Sequence, residues 1–298
     1  MCARVVHRLS RHTGSANAAV FDATGDYVVS GGQDRRVLLS SASSGQLVQS
    51  YEGHGWPVQG VAVAPGGAQL ASCGGDRLVF VWDVGSAQVS RRLPGHEQRV
   101  DCVAFGDTGA VVASGSFDKT VCIWDLRAAA ARAPLQVLRE SRDGVASLAM
   151  AGPEIVAGSI DGCVRTYDLR AGRVLEDALG AAVVSAAPAD SAGRLLVVGC
   201  MDSAVRLLDR KASPGAGDAV ATFTGHKCSE YRIRCDANDA VAVSGSEDGA
   251  VYVWDVAGAA QPRSRLSGHT GIVNSVVLHP RSNAMVSAAS DGSVIVWG

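Results

Sequence analysis

Hydrophobic positions along this chain come in short bursts rather than long periods. QRVDCVAF (98–105), AVVASGS (110–116) and KTVCIWD (119–125) are rich in Val, Ile and aromatic residues, and Gly, Asp and Ser bound them. No segment sustains the helical period. The pattern predicts many short strands joined by tight turns and no helical layer.

Polar markers recur in phase with these bursts. Asp76, Asp118, Asp248 and Asp291 each precede a tryptophan by six residues, namely Trp82, Trp124, Trp254 and Trp297. Asp161 precedes Tyr167, Asp202 precedes Leu208 and Asp34 precedes Ser40 by the same interval. These seven aspartates lie 42, 42, 43, 41, 46 and 43 residues apart. His12, His54, His96, His226 and His269 each lie 22 residues before one of them, and Ser30, Ser72, Ser114, Ser244 and Ser287 lie 18 residues after those histidines. Four short strands in each unit of about 40–45 residues predict a propeller blade. One blade cannot bury both faces of its own sheet, but seven packed radially around a channel can. The reading is therefore all-β: one seven-bladed propeller spanning 1–298, with no split into two domains.

The ring has to close. The chain ends on Trp297-Gly298, in the third strand of blade 7, so that blade needs an outer strand. RVVHRLSRH (4–12) aligns with QVSRRLPGH (88–96), placing Val5 on Val89, Leu9 on Leu93 and His12 on His96. Residues 4–9 are thus expected to complete blade 7 and remove an exposed sheet edge. The arginine-bearing, acid-free start could also suit a transit peptide, but a cleaved peptide could not do this job.

Composition narrows the function. The net charge of −2 favours neither nucleic acid nor an anionic membrane as partner, and no apolar run approaches the ~20 residues of a membrane helix. The eight cysteines, Cys2 among them, are scattered singly without a C-x-x-C pair. They predict reduced thiols in an intracellular compartment and no zinc site. Walker, H-E-x-x-H and G-x-S-x-G motifs are absent from the sequence. A Ser/His/Asp set that recurs five times is expected to be structural, since an active site occurs once. No enzyme activity and no cofactor are expected.

GGDRLVFVWD, GSFDKTVCIWD, GSEDGAVYVWD and ASDGSVIVW resemble the signature of WD40 repeats, and GHG, GHE, GHK and GHT (53–55, 95–97, 225–227, 268–270) resemble its Gly-His element. The resemblance implies a hydrogen-bonded chain within each blade, from Trp to Ser to His to Asp. Complete sets are His54, Ser72, Asp76, Trp82; His96, Ser114, Asp118, Trp124; His226, Ser244, Asp248, Trp254; and His269, Ser287, Asp291, Trp297. Blade 1 has Ser40 for Trp, blade 4 has Ser141 and Tyr167 for His and Trp, and blade 5 has Gly180 and Leu208. These three blades are expected to be less rigid.

The resemblance also implies that the His and Asp loops share one face, the top. Its exposed ring would include Gln33, Gln59, Arg99, Asp101, Phe117, Ile160, Met201, Tyr231, Glu247, Ile272 and Asn274. Apolar residues there could serve an interface or be ordinary exposed side chains. Trp56 could anchor a partner or pack on Pro57. WDLR (124–127) and YDLR (167–170) resemble the W-D-x-R motif of substrate receptors of cullin-4 ubiquitin ligases, which implies adaptor contacts through Arg127 and Arg170. The other reading makes both of them solvated turn residues.

Longer stretches resemble one branch of the WD40 family, the mitogen-activated protein kinase organizers, which are small seven-bladed scaffolds. They are YEGHGWPV, SCGGDRLVFVWDVGSAQVSRRLPGH, SRDGVASL, AGSIDGCVRTYDLRAGRV, MDSAVRLLD and GHKCSEYRIRC. That resemblance implies a non-catalytic scaffold, a monomer within larger complexes, that organises either MAP-kinase signalling or pre-mRNA splicing. Its partners would be kinase-module or spliceosomal proteins, with no direct nucleic-acid or membrane contact, in the cytoplasm, the nucleus or both. The alternative is a substrate receptor of a cullin-4 type ligase.

Overall fold

A computed structural model describes residues 4–128, 133–190, 193–210, 218–258 and 260–298. They form seven four-stranded antiparallel sheets. Blade 2 shows the plan, with inner strand a at Val58–Val63, then b at Gln69–Gly74, c at Leu78–Asp83 and outer strand d at Val89–Pro94. Each inner strand packs against the inner strands of the blades on either side, and blade 7 (Val273–Leu278) packs against blade 1 (Ala16–Phe21), so the sheets form a closed ring. Val, Ala and Leu from strands a to c fill the spaces between blades, and Trp82, Trp124, Trp254 and Trp297 are among the largest fully buried side chains. Strand Val5–Ser10 pairs with Ser293–Trp297, and Arg4 and Gly298 exchange two backbone hydrogen bonds of 2.9 and 3.0 Å.

The turn between strands b and c explains the aspartate spacing. In all seven blades the repeat aspartate accepts a hydrogen bond from the N–H two residues on, at Arg36, Leu78, Thr120, Cys163, Ala204, Ala250 and Ser293. The residue between has positive φ in every blade. It is Gly162, Gly249 or Gly292 in three, and Arg35, Arg77, Lys119 or Ser203 at φ 63–72° in the other four. Asp therefore fixes the turn whether or not a histidine accompanies it.

Inner strands carry a second regular feature. Six of them shift register near their top end, at Ala16/Ala18, Val58/Gly60, Val100/Cys102, Val145/Ser147, Val183/Ser185 and Val273/Ser275. Each such bulge frees one residue from the ladder and re-aims its side chain. Blade 6 differs: its inner strand begins only at Cys235. Its a–b turn is tighter, because Asn238 N–H bonds Val241 O across two residues where Ala64 N–H bonds Gln69 O across four in blade 2. The residues so released lengthen the loop after His226.

The seven described cysteines are buried free thiols, and burial pushes Cys102, Cys228 and Cys235 up to about 12. They behave as small apolar groups rather than nucleophiles. Cys2 lies outside the described residues. No group of three or more potential metal ligands, and no helix long and apolar enough to cross a membrane, occurs among the described residues.

Candidate protein-binding site at the channel mouth

The four complete residue sets behave differently. In blade 2, Trp82 Nε1–H donates to Ser72 Oγ at 2.8 Å, Ser72 meets His54 Nε2 at 2.6 Å, and His54 Nδ1 meets Asp76 at 2.6 Å. Blade 3 keeps His96 to Ser114 (2.7 Å) and to Asp118 (2.9 Å), but Trp124 Nε1 has no partner. Blade 7 bonds Trp297 and His269 to Ser287, then relays from His269 Nδ1 through Ser293 Oγ (2.7 Å) to Asp291. Blade 1 retains His12 with Ser30 and Asp34 at 2.9 Å each.

Blade 6 corrects the expectation. Ser244 Oγ–H donates to Gly245 O, Trp254 Nε1–H donates to Thr224 O, and His226 Nδ1 is buried with no partner. Asp248 is instead taken by the Tyr252 hydroxyl at 2.8 Å and the Arg265 guanidinium at 2.9 Å. Tyr252 stands four residues after the aspartate, where blade 2 has Phe80. Its hydroxyl competes with the histidine for the carboxylate. Burial pushes His226 down to about 4, so it stays neutral.

The same position explains the blades without a histidine. In blade 4, Arg165 is fully buried and pairs with Asp161 at 2.8 Å and Glu176 at 2.9 Å. In blade 5, Arg206 forks onto Asp202. An arginine four residues after the aspartate thus replaces the missing histidine. D-G-C-V-R and D-S-A-V-R displayed this in the sequence.

Above the blades, the freed bulge residues converge. Asn17, Gln59, Asp101, Ala146, Val184 and Asn274 line the mouth of the central channel together with Arg99, Arg232 and Arg234. The expected top ring therefore divides. Gln59 and Asn274 line the mouth half-buried, and the Asn274 amide is held by Ser15 and Ala16. Asp101 is buried, at 6% exposure, rather than displayed. Ile160, Met201 and Ile272 pack on Val184, Cys228 and Ile233, because the shortened inner strand of blade 6 brings Ile233 beneath them. The Glu247 carboxylate turns inward and accepts N–H bonds from Ser229, Glu230 and Tyr231 at 2.7, 2.6 and 3.2 Å. It is a clamp on the loop, and those bonds hold it down to about 2 despite burial. Gln33, Arg99, Phe117 and Tyr231 are exposed. Trp56 is 64% exposed, packed at its base on Gly75.

Arg232 and Arg234 were not expected here. Their signal is a pair of arginines where other blades start their inner strand: blade 6 reads RIRCDA (232–237) where blade 2 reads VQGVAV (58–63). Arg232 crosses the channel to Asp101 of blade 3 at 2.5 Å, and Arg99 Nε reaches the same carboxylate at 3.0 Å. Arg234 Nη2–H donates to the backbone oxygens of Asp101 (3.0 Å) and Gln59 (3.2 Å). The Phe117 ring lies beneath both Arg99 and Arg232, with guanidinium carbons 4.8 and 5.9 Å from its centroid.

Arg127 and Arg170 lie apart from the mouth, each in the turn after strand c of its blade. Arg127, with its side chain 75% exposed, forks onto Asp125 at 2.7–2.9 Å. The Arg170 N–H donates to Asp168 and its side chain faces solvent.

Residues 3–39, 45–83, 87–125, 217–255 and 260–298 match the WD40 family (WD domain, G-beta repeat). The gap holds blade 4 and most of blade 5, where arginine replaces histidine. The chain is 45% identical over 286 residues to WD repeat domain-containing protein 83 of Rattus norvegicus, covering 95% of this chain and 88% of that one. Its human counterpart is 44% identical over the same length and coverage. An uncharacterized WD repeat-containing protein of Schizosaccharomyces pombe is 44% identical over 283 residues, 94% of this chain and 93% of that one. With matched repeats over more than half its length and seven sheets in a closed ring, the chain belongs to the WD40-repeat family of small propeller scaffolds for protein–protein interaction.

Proposed function

We propose that the chain is a non-catalytic scaffold that gathers protein partners on its top face, around the channel mouth. The observation that carries this is blade 6. It has all four residues of the structural set, yet it forgoes their hydrogen-bonded chain and half its inner strand, and it places two arginines across the channel. Breaks of local rule in an otherwise consistent fold mark functional sites. The resemblance to the kinase organizers makes the complex served a MAP-kinase module or the splicing machinery, in the cytoplasm, the nucleus or both.

The test is a native pull-down of the tagged chain with mass-spectrometric identification, run beside Arg99→Glu with Phe117→Ala. Kinase-module or splicing proteins should accompany the parent chain and be lost from the variant. Partners that persist on the variant would move the binding surface elsewhere. A cullin-4 adaptor captured in their place, and lost when Arg127 and Arg170 are reversed in charge, would instead establish the ligase-receptor reading.

A further inference from the structure

We infer that the channel mouth is a receptor for an acidic linear segment of a partner protein, whose carboxylates are engaged by Arg99 and Arg232 on either side of Phe117. This rests on the scaffold reading above and names the chemistry of its site.

Donor accounting comes first. Two guanidiniums share one carboxylate, that of Asp101, through Arg99 Nε and Arg232 Nη1. Each guanidinium carries five N–H donors, so most of their capacity is left facing the mouth. Arg99 and Arg232 keep 46% and 30% of their side-chain surface exposed, whereas Asp101 keeps 6%. The charged groups facing the cavity are Arg99, Arg232 and Arg234 against Asp101 and Glu230. Three cations thus meet two carboxylates, and one of those carboxylates is sealed beneath the arginines. The outward surface calls for an anion.

Geometry narrows the anion. Phe117 holds both guanidinium carbons within cation–π distance of its ring, at 4.8 and 5.9 Å, and the planar group that a guanidinium fork matches is a carboxylate. The mouth is a cavity of about 300 Å³, room for a side chain or two but not for a folded surface. Tyr231 lines it and is 47% exposed, offering a ring to the segment's backbone or an apolar neighbour.

The receptor is preorganised. Glu247 pins three consecutive N–H groups of the loop that carries Arg232, and Cys228 is bound at its N–H and its carbonyl by Ser203. A ligand therefore bears little of the ordering cost. Arginine at 232 and 234, at positions where blade 2 has Val58 and Gly60 and blade 3 has Val100 and Cys102, is the sequence counterpart of this investment.

The probe is a fluorescein-labelled peptide of alternating Glu and Gly, titrated with the full chain and followed by anisotropy. Its Gln counterpart and its phosphoserine counterpart run beside it. The Glu peptide should bind, weaken as salt rises, and weaken at least ~10-fold on Arg99→Ala and on Arg232→Ala. It should be unchanged on Arg281→Ala, in the a–b turn of blade 7 on the opposite face. Arg99 is half-exposed, so its variant retains the fold and keeps the test valid should Arg232→Ala unfold. Equal binding of the Gln peptide, equal weakening by Arg281→Ala, or binding of the phosphoserine peptide alone would each overturn the inference. Pull-down partners that depend on the mouth while the Glu peptide fails to bind would remove the acidic ligand and leave the scaffold standing.

Discussion

Ser72 accepts a hydrogen bond from Trp82, while Trp124, in the same place one blade on, buries its Nε1–H without a partner. The two tryptophans are equally enclosed, at 0% exposure. Replacing either by Phe loses the same indole packing, but only Trp82→Phe breaks a bond; Trp124→Phe also removes an unsatisfied buried donor. Trp82→Phe should therefore cost about 1 kcal/mol more, read from urea midpoints, and the reverse order would mean that Trp124 is bonded. The histidines differ as well. Burial alone would lower His96, but its bonds to Asp118 and Cys122 outweigh that and raise it from 6.5 to about 9. Its contribution to stability is whole below pH 6.5 and is lost as pH rises toward 9. His226 and His269 are pushed down to about 4 by burial, so their contribution is whole above pH 6.5 and is lost as pH falls toward 4. Stability measured by urea from pH 5 to 9 should decline on both sides of about 6.5, and His96→Gln should flatten the alkaline side alone.

At the scale of the blade, a substitution pattern rather than a single residue keeps the sheets equivalent. Blades 4 and 5 lack a histidine but supply an arginine to the same aspartate, so the loss of rigidity expected of them has a physical counterweight. Blade 1, with Ser40 buried in the tryptophan position, has none. Arg165 is fully enclosed and its two acidic partners depend on it. Arg165→Met should cost about 3–5 kcal/mol, since it strands buried charge, and should speed hydrogen exchange in blade 4 ahead of the other blades. Arg206→Met should cost less, because both members of that pair are partly exposed. A smaller loss for Arg165→Met than for Arg206→Met would show that blade 4 does not lean on its arginine.

For the molecule as a whole, the sequence displayed the ring because one turn dictates it. An aspartate that must bond the N–H two residues on, followed by a strand of fixed length, sets a spacing that survives when His or Trp is lost, as at Asp161 and Asp202. The N-terminal strand was legible for the same reason, since Leu9 and His12 keep the register of Leu93 and His96. The channel mouth was not. It depends on six bulges, on a turn two residues tighter in blade 6, and on contacts such as Arg232 to Asp101 and Arg234 to Gln59, which join residues 131 and 175 positions apart. Counting five from the histidine placed Tyr231 where the register puts Ile233, two residues on, and placed Asp101 in solvent. Periodicity reports what every blade shares, whereas this site is built from what one blade does differently.

The pairing of Val5–Ser10 with Ser293–Trp297 also sets a timetable for the nascent chain. Leu9 and Val294, opposite one another in the finished sheet, are 285 positions apart in order of synthesis. At ribosomal speeds of ~5–20 residues per second, roughly 15–60 s separate their emergence. Through that interval the early strand, with Val5 and Val6 uncovered, has no proper mate, while blades 1 to 6 can each form as their own strands emerge. The last blade is then latched by a single long-range event, after which the two ends of the fold hold each other.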